Sequence, residues 1–121
     1  MMKKTVLVSL AILAAASAQA KVHAAAPASF AQCGVCHAVT KGAPNGIGPN
    51  LNGVFGKSAG GVTGFNYSTA LKTSKLVWNA ATLDKWITNP MKLVPGSRMP
   101  YAGQADPKKR AEIVAYIKTL K

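Results

Sequence analysis

The chain has 121 residues, which leaves room for one domain only. Fifteen lysine and arginine residues stand against three aspartate and glutamate residues, so the formal net charge is +12 and an anionic partner is expected. The basic residues are scattered through predicted loops and no nucleic-acid-binding module is legible, so we expect an acidic protein surface and no nucleic acid.

Residues 1–20 have the three parts of a secretory signal peptide. Two lysines near the start precede a nearly uninterrupted apolar run over residues 6–16, and small residues end the stretch at Ala20. An uncleaved membrane anchor is the alternative, but the run is shorter than the about 20 residues that a membrane-spanning helix needs. We therefore predict cleavage after Ala20, a periplasmic location and no stable membrane insertion of the remaining chain.

The remaining chain is predicted to be a flexible leader over residues 21–27 and one domain over residues 28–121. A short helix is expected at about residues 28–36, whereas repeated glycine and proline predict a loop over residues 38–64. A short helical turn is expected near residues 68–75. No stretch sustains the apolar–polar alternation that predicts a β-strand.

The clearest helix of the middle region begins after Asn79, a favourable N-cap residue. Leu83, Trp86 and Ile87 have the spacing of one helical face, and the residue before Pro90 is driven out of helical geometry, which ends the helix.

The last helix follows a Pro/Gly-rich loop predicted over residues 91–106. Asp106 is its expected cap and Pro107 its first residue, a favourable start. Its apolar stripe comprises Ile113, Val114, Tyr116, Ile117 and Leu120. The fold class is therefore all-α, with three or four short helices joined by long loops that cannot fill a core by themselves. A bound group inside the loops would supply the missing core.

The decisive motif is C-x-x-C-H, formed by Cys33, Cys36 and His37. It is typical of covalent haem attachment: each cysteine forms a thioether with the porphyrin, and the histidine nitrogen ligates the iron. A thioredoxin-like dithiol is one alternative, but it requires a βαβ context and gives the histidine no role. A zinc site is another, but among the remaining residues only His23 is a further Cys or His ligand.

A six-coordinate electron carrier needs a second axial ligand, and methionine sulfur raises the potential of the iron. Because Met1 and Met2 lie in the predicted signal peptide, Met91 and Met99 are the candidates. Pro95-Gly96 precedes Met99 and can turn its sulfur inward, while Met91 follows Pro90 directly. The residues alone leave both open, and either methionine can instead fill a gap in the core.

Several short motifs follow one another along the chain: Cys33 to His37, Gly48-Pro49-Asn50-Leu51, Gly53-Val54-Phe55-Gly56, Phe65-Asn66-Tyr67, Trp78, Asn89-Pro90, Pro95-Gly96-Ser97-Arg98-Met99 and the final helix. In these motifs the chain resembles the class I cytochromes c, and the resemblance covers nearly all of the predicted mature chain. It implies that His37 and Met99 are the axial ligands of one covalently bound haem c. It also implies a hydrogen bond from His37 to the Pro49 carbonyl.

The resemblance further implies which side chains contact the haem propionates. Tyr67, Trp78 and Ser97 match hydrogen-bond donors to a propionate, and Lys57 occupies a nearby basic position; Tyr67 and Trp78 can alternatively be core residues. Two departures bear on the potential. Trp86 replaces a usual tyrosine beside the methionine sulfur, and Leu71 replaces a usual asparagine.

The resemblance also implies that Phe30 and Tyr116 meet where the first and last helices cross.

These features predict a monomeric, non-enzymatic carrier of single electrons between redox proteins with acidic docking surfaces. The alternatives are a dedicated haem subunit of a periplasmic dehydrogenase or oxidase, and an open-site peroxidase-like or gas-binding haem protein. The basic side chains expected to steer an acidic partner are Lys41, Lys72, Lys75, Lys85, Lys92 and Arg98.

Overall fold

A computed structural model of the protein describes residues 25–121 and, by itself, Ala11. Apart from Ala11, the predicted signal peptide lies outside the described residues, as do residues 21–24 of the predicted leader. Within residues 25–121 there are five short α-helices and no β-strand beyond an isolated bridge between Ser58 and Val77. The all-α prediction is confirmed. No helix in this part is long and apolar enough to cross a membrane.

The first predicted helix is shorter than expected. A 3₁₀ turn, Ala28–Phe30, leads into helix α1, Ala31–Gly34, which ends two residues before the predicted boundary. The amides of Cys36 and His37 both donate to the carbonyl of Cys33, at 3.1 and 3.0 Å. The chain therefore makes one tight turn after α1, and this turn brings the two cysteines and the histidine to one place.

Helices α2, Thr69–Lys72, and α3, Ala80–Thr88, begin at polar caps. The Ser68 hydroxyl accepts a hydrogen bond from the Leu71 amide at 3.1 Å and starts α2, as predicted near residues 68–75. At the start of α3, the side-chain oxygens of Asn79 and Thr82 each accept a hydrogen bond from the other residue's backbone amide, both at 2.9 Å.

The predicted apolar face of α3 is confirmed, because Leu83, Trp86 and Ile87 are all buried.

The prediction of a loop from residue 91 onward is wrong at its start. Asn89 is extended (φ −165°), which ends α3, but its side chain then accepts a hydrogen bond from the Lys92 amide at 3.1 Å. Pro90 occupies the first helical position, where its fixed φ is already suitable. These two features start helix α4, Pro90–Leu93, so the loop is confined to residues 94–106.

Helix α5, Pro107–Thr119, is the longest, and Asp106 caps it as predicted. The predicted contact between the first and last helical segments is confirmed, since the Phe30 and Tyr116 rings meet edge to face with centroids 4.7 Å apart. Arg110 joins α5 to α3 through an ion pair with Asp84 at 2.8 Å, and it also donates to two carbonyls of the loop before α5. The helices thus form a frame to which residues 94–106 are attached.

Candidate functional site

A cavity of about 1050 Å³ lies between the helical frame and the loops. Helices α1, α2, α3 and α5 contribute to its wall together with the loops, and most of the lining side chains are apolar or aromatic. All nine predicted site residues line it: Cys33, Cys36, His37, Pro49, Lys57, Tyr67, Trp78, Ser97 and Met99. The structure thus brings together residues that span 67 positions of the sequence, whereas Met91, the other candidate ligand, does not line this cavity.

The two cysteines at the cavity wall are free thiols. Burial, the largest influence, raises the pKa of the Cys33 thiol, and the neighbouring Cys36 adds to this, while a backbone hydrogen bond opposes it. Redox-active dithiols require the opposite shift, because the thiolate is the reacting form. The Cys33 thiol is therefore unlike the reactive thiol of an oxidoreductase, and both cysteines are available for covalent attachment of a group in the cavity.

His37 is held in one orientation by the loop opposite α1. Its Nδ1 lies 2.7 Å from the Pro49 carbonyl oxygen, which only accepts, so Nδ1 carries the hydrogen and Nε2 is free to bind a metal. The imidazole packs directly against the Gly48 backbone, since a Cβ atom at residue 48 would lie only 2.5 Å from Cε1 of His37. Burial lowers the pKa of His37, outweighing the Pro49 hydrogen bond, and favours the neutral ring that ligates iron.

Three asparagines fix the loop that carries Gly48 and Pro49. The Asn50 side chain is buried; it donates to the Thr40 and Ala43 carbonyls at 2.8 and 3.0 Å and accepts from the Asn52 amide at 2.9 Å. Asn52 donates to the Val39 carbonyl at 3.0 Å, and Asn45 accepts from the Asn50 amide at 2.9 Å. Sequence reasoning missed this network, although the asparagines flanking a Gly-Pro turn are a signal for side-chain-to-backbone bonds.

The opposite wall carries Met99. This side chain is partly buried and packs against the core cluster, whereas Met91 is 50% exposed on α4. Ser97 is buried, and its hydroxyl donates to the Met91 sulfur at 3.4 Å. Two residues beyond Met99, Tyr101 also lines the cavity, a contribution that sequence reasoning did not identify.

Two side chains of the largely apolar wall, Tyr67 and Trp78, carry hydrogen-bonding groups. The Tyr67 hydroxyl accepts a hydrogen bond from the Val62 amide at 3.0 Å, which leaves its own hydrogen free to donate. Burial raises the pKa of Tyr67 and keeps the phenol protonated. Trp78 is buried against Trp86, with ring centroids 5.4 Å apart, and no described residue accepts a hydrogen bond from its indole N–H.

The chemistry of these groups fits a haem better than a bare metal ion. Two free thiols, an oriented imidazole nitrogen and a thioether sulfur face one cavity, with hydrogen-bond donors at its wall. Within residues 25–121, no cluster of three or more His, Cys, Asp or Glu side chains suits a metal ion. His23, the further zinc ligand considered from the sequence, lies outside the described residues.

Comparisons with known proteins agree with this site. The family model described as Cytochrome c matches residues 23–121. The chain is 47% identical over 90 residues to cytochrome c2 of Rhodomicrobium vannielii, covering 74% of this chain and 72% of that one. It is 41% identical over 111 residues to cytochrome c2 of Blastochloris viridis, covering 90% and 87%.

Among solved structures, cytochrome cH from Methylobacterium extorquens superposes with a TM-score of 0.70 at 48% identity, covering 75% of this chain and 91% of the other. The family model spans most of the chain, and the identities lie far above the level at which only the fold is shared. The chain therefore belongs to the cytochrome c family.

Proposed function

We propose that this monohaem cytochrome c is a periplasmic carrier of single electrons whose iron is ligated by His37 and Met99. The observation that carries the proposal is the geometry of His37. Its Nδ1 is committed to the Pro49 carbonyl at 2.7 Å, so its Nε2 is the ring nitrogen left for iron. Membership of the family establishes the covalent haem c and electron transfer; the ligand pair and the location are the finer proposal.

Met99 is favoured over Met91 as the second ligand because only Met99 lines the cavity. When bound, haem supplies an iron that changes its charge by one, and a thioether ligand stabilises the reduced state. The chain's own contribution is to hold the imidazole in place, to exclude water with the apolar wall, and to offer the Tyr67, Trp78 and Ser97 donors and the Lys57 charge to the propionates. These groups need little movement when an electron arrives.

The scarcity of histidine and carboxylate side chains in the cavity wall also supports an electron carrier. Among the described residues that line the cavity, His37 is the one histidine, and there is no aspartate or glutamate. A peroxidase-like site needs an acid–base group on the open side of the iron. The described wall provides no second histidine and no carboxylate for this role, which favours electron transfer over reaction with a small molecule.

The proposed partner is a redox protein with an acidic docking surface, and the proposed working form is a monomer. In the described part, Arg110 with Asp84 is the one ion pair, so the remaining basic side chains are not neutralised by internal carboxylates. Exposed charges of one sign accelerate encounter with an oppositely charged partner, and salt screens them beyond about 10 Å at 0.1 M. We expect electron transfer to the physiological partner to slow as ionic strength rises; a flat or rising rate would exclude steering.

The ligand assignment is tested with Met99→Ala and the matched variant Met91→Leu in the haem-loaded protein. We expect Met99→Ala to lose the weak long-wavelength absorption band of methionine–Fe(III) bonding and to bind carbon monoxide when reduced. Met91→Leu keeps the band and does not bind carbon monoxide. The reverse pattern would assign the ligand to Met91, and absence of the band from the unsubstituted haem-loaded protein would exclude methionine ligation altogether.

The proposed location and processing are tested separately. Fractionation of the native host is expected to place the protein in the periplasm, and sequencing of its N-terminus is expected to begin at Lys21. A membrane-bound product that retains residues 1–20 would mean that this segment is an anchor.

A further inference from the structure

Met91 is a half-exposed methionine that the proposed electron transfer does not use. It is 50% exposed on α4 and does not line the haem cavity, so filling the cavity leaves its exposure in place. By contrast, the exposed side chains of Val35 and Ile47 do line the cavity. Met91 therefore presents about half of its surface to solvent, at a position that neither ligation nor burial in the core explains.

The sulfur of Met91 is connected to the cavity through one hydroxyl group. Ser97 donates from Oγ to the Met91 sulfur at 3.4 Å, and Ser97 itself is 6% exposed and lines the cavity. Pro90 and the Asn89 cap fix α4, while the Ser97 amide donates to the Val94 carbonyl at 3.1 Å. The backbone on both sides of this contact is thus held, so a change at the sulfur is transmitted to the hydroxyl.

We propose that Met91 is a modification site at which peroxide oxidation of the thioether to the sulfoxide lowers the haem potential through Ser97. The sulfur gives two electrons to hydrogen peroxide and gains one of its oxygen atoms; the O–O bond breaks, and the other oxygen leaves as water. No other oxidant is required, and a side chain that is half exposed can be reached without unfolding. The effect on the potential rests on the haem-filled cavity of the proposed function.

The sign of the effect follows from the single proton of the Ser97 hydroxyl. A thioether is a weak hydrogen-bond acceptor, so the unmodified sulfur competes poorly with an acceptor inside the cavity. A sulfoxide oxygen is a stronger acceptor and holds the proton on the α4 side. Withdrawing the positive end of this dipole from the cavity stabilises the more positive, oxidised iron, so the potential falls.

Met99 is the natural internal comparison. Its side chain is partly buried, and its sulfur faces the iron in the proposed function, so peroxide reaches it more slowly. The other two methionines of the chain, Met1 and Met2, lie in the predicted signal peptide. Peptide mapping of the exported protein therefore has two methionine sulfurs to distinguish.

The first test titrates the haem-loaded protein with hydrogen peroxide and maps the added oxygen by mass spectrometry. We expect Met91 to be oxidised at least about tenfold faster than Met99, as thioether reactivity follows exposure. Equal rates, or oxidation of Met99 first, would overturn the proposal. An unchanged haem absorption spectrum at partial oxidation verifies that peroxide has not destroyed the cofactor.

The second test avoids peroxide and uses substitutions at residue 91. Met91→Gln places an amide oxygen near the position of a sulfoxide oxygen, and Met91→Leu removes the acceptor. We expect the ratio of reduced to oxidised protein in a fixed redox buffer to be roughly threefold lower for Met91→Gln than for Met91→Leu, a weak-hydrogen-bond effect. The Ser97→Ala background should abolish the difference.

A difference that persists without the Ser97 hydroxyl, or no difference at all, would overturn the coupling. Both outcomes are distinct from failure of the proposed function, in which Met91→Leu itself would lose the methionine–Fe(III) band.

Discussion

The two walls of the cavity are built in different ways. Residues 33–52 hold His37 through a hydrogen bond from its own ring, a backbone surface at Gly48 and a network of asparagine side chains. Residues 94–106 hold Met99 indirectly, because this loop is attached to α3 at a residue other than Met99. The Gln104 amide donates to the Ile87 carbonyl at 2.8 Å, and no described side chain bonds to the Met99 sulfur.

This difference predicts opposite effects of damage at the two walls. The imidazole is oriented by its own hydrogen bond to Pro49, whereas the position of the thioether depends on the docking of the loop against α3. Damage to the His37 wall should therefore leave methionine ligation intact and raise the potential, because an imidazole without its Pro49 bond stabilises Fe(III) less well. Damage to the Met99 wall should release methionine and lower the potential. The sign of the potential change separates the two.

The largest expected effect comes from Gly103→Ala in the Met99 wall. Gly103 has φ +112°, and a Cβ there would collide with the Thr88 carbonyl oxygen. Backbone strain and collision together should lower the free energy of unfolding by about 4 kcal/mol. We expect loss of the methionine–Fe(III) band and a lower potential, measured by denaturant unfolding, absorption and redox titration. Retention of the band would show that the loop does not depend on this contact.

Asn50→Ala should damage the His37 wall. The substitution removes three hydrogen bonds made by the buried Asn50 side chain, to the Thr40 and Ala43 carbonyls and from the Asn52 amide, which should cost about 3 kcal/mol. We expect a raised potential with the methionine band retained. Asn45→Ala, at a less buried position, is the matched control and should cost less. If the potential falls in Asn50→Ala, the proposed separation of the walls is wrong.

Gly48→Ala tests the imidazole surface alone. Its Cβ would approach three atoms of the His37 ring within 3.0 Å, so the ring must move at a cost of about 2 kcal/mol. Gly34→Ala is the control, since its Cβ would meet nothing closer than Phe30 at 3.9 Å. Denaturant unfolding and the potential are measured together; equal effects in the two variants would contradict the close packing of His37.

The smallest effect is a dependence on alkaline pH. Burial raises the pKa of Tyr67, so the folded state favours the neutral phenol more than the unfolded state does. This stabilisation is complete below the unfolded pKa of about 10 and is lost as pH rises through the folded pKa. Tyr67→Phe should therefore flatten part of the loss of stability above pH about 10. An identical pH profile in both proteins would remove Tyr67 from this account.

The sequence predicted the parts of the site that depend on local patterns. C-x-x-C-H marked the attachment turn, Asn79 and Asp106 marked helix starts, and the resemblance named the Pro49 carbonyl. These features arise from residues close in sequence or from a motif of fixed spacing. The ligand role of Met99 and the propionate contacts remain predictions.

What the sequence did not reveal depends on distant contacts. Helix α4 was missed because the proline that ends one helix also begins the next, and only the Asn89 side chain decides between them. The close packing of Gly48 on His37 and of Gly103 on Thr88 joins residues at least 11 positions apart. The sequence does not reveal such close contacts, since glycine is also common in turns where no other residue packs against it.

The central claim is that one histidine and one methionine, held by unlike walls, complete the coordination of the iron. NMR of the reduced haem-loaded protein with ¹³C-labelled methionine methyl groups tests it most directly, with Met91→Leu to assign the signals. We expect the Met99 methyl resonance to be shifted strongly upfield by the porphyrin ring current and the Met91 methyl to stay near its free-residue position. A Met99 methyl at the free-residue position would contradict the account.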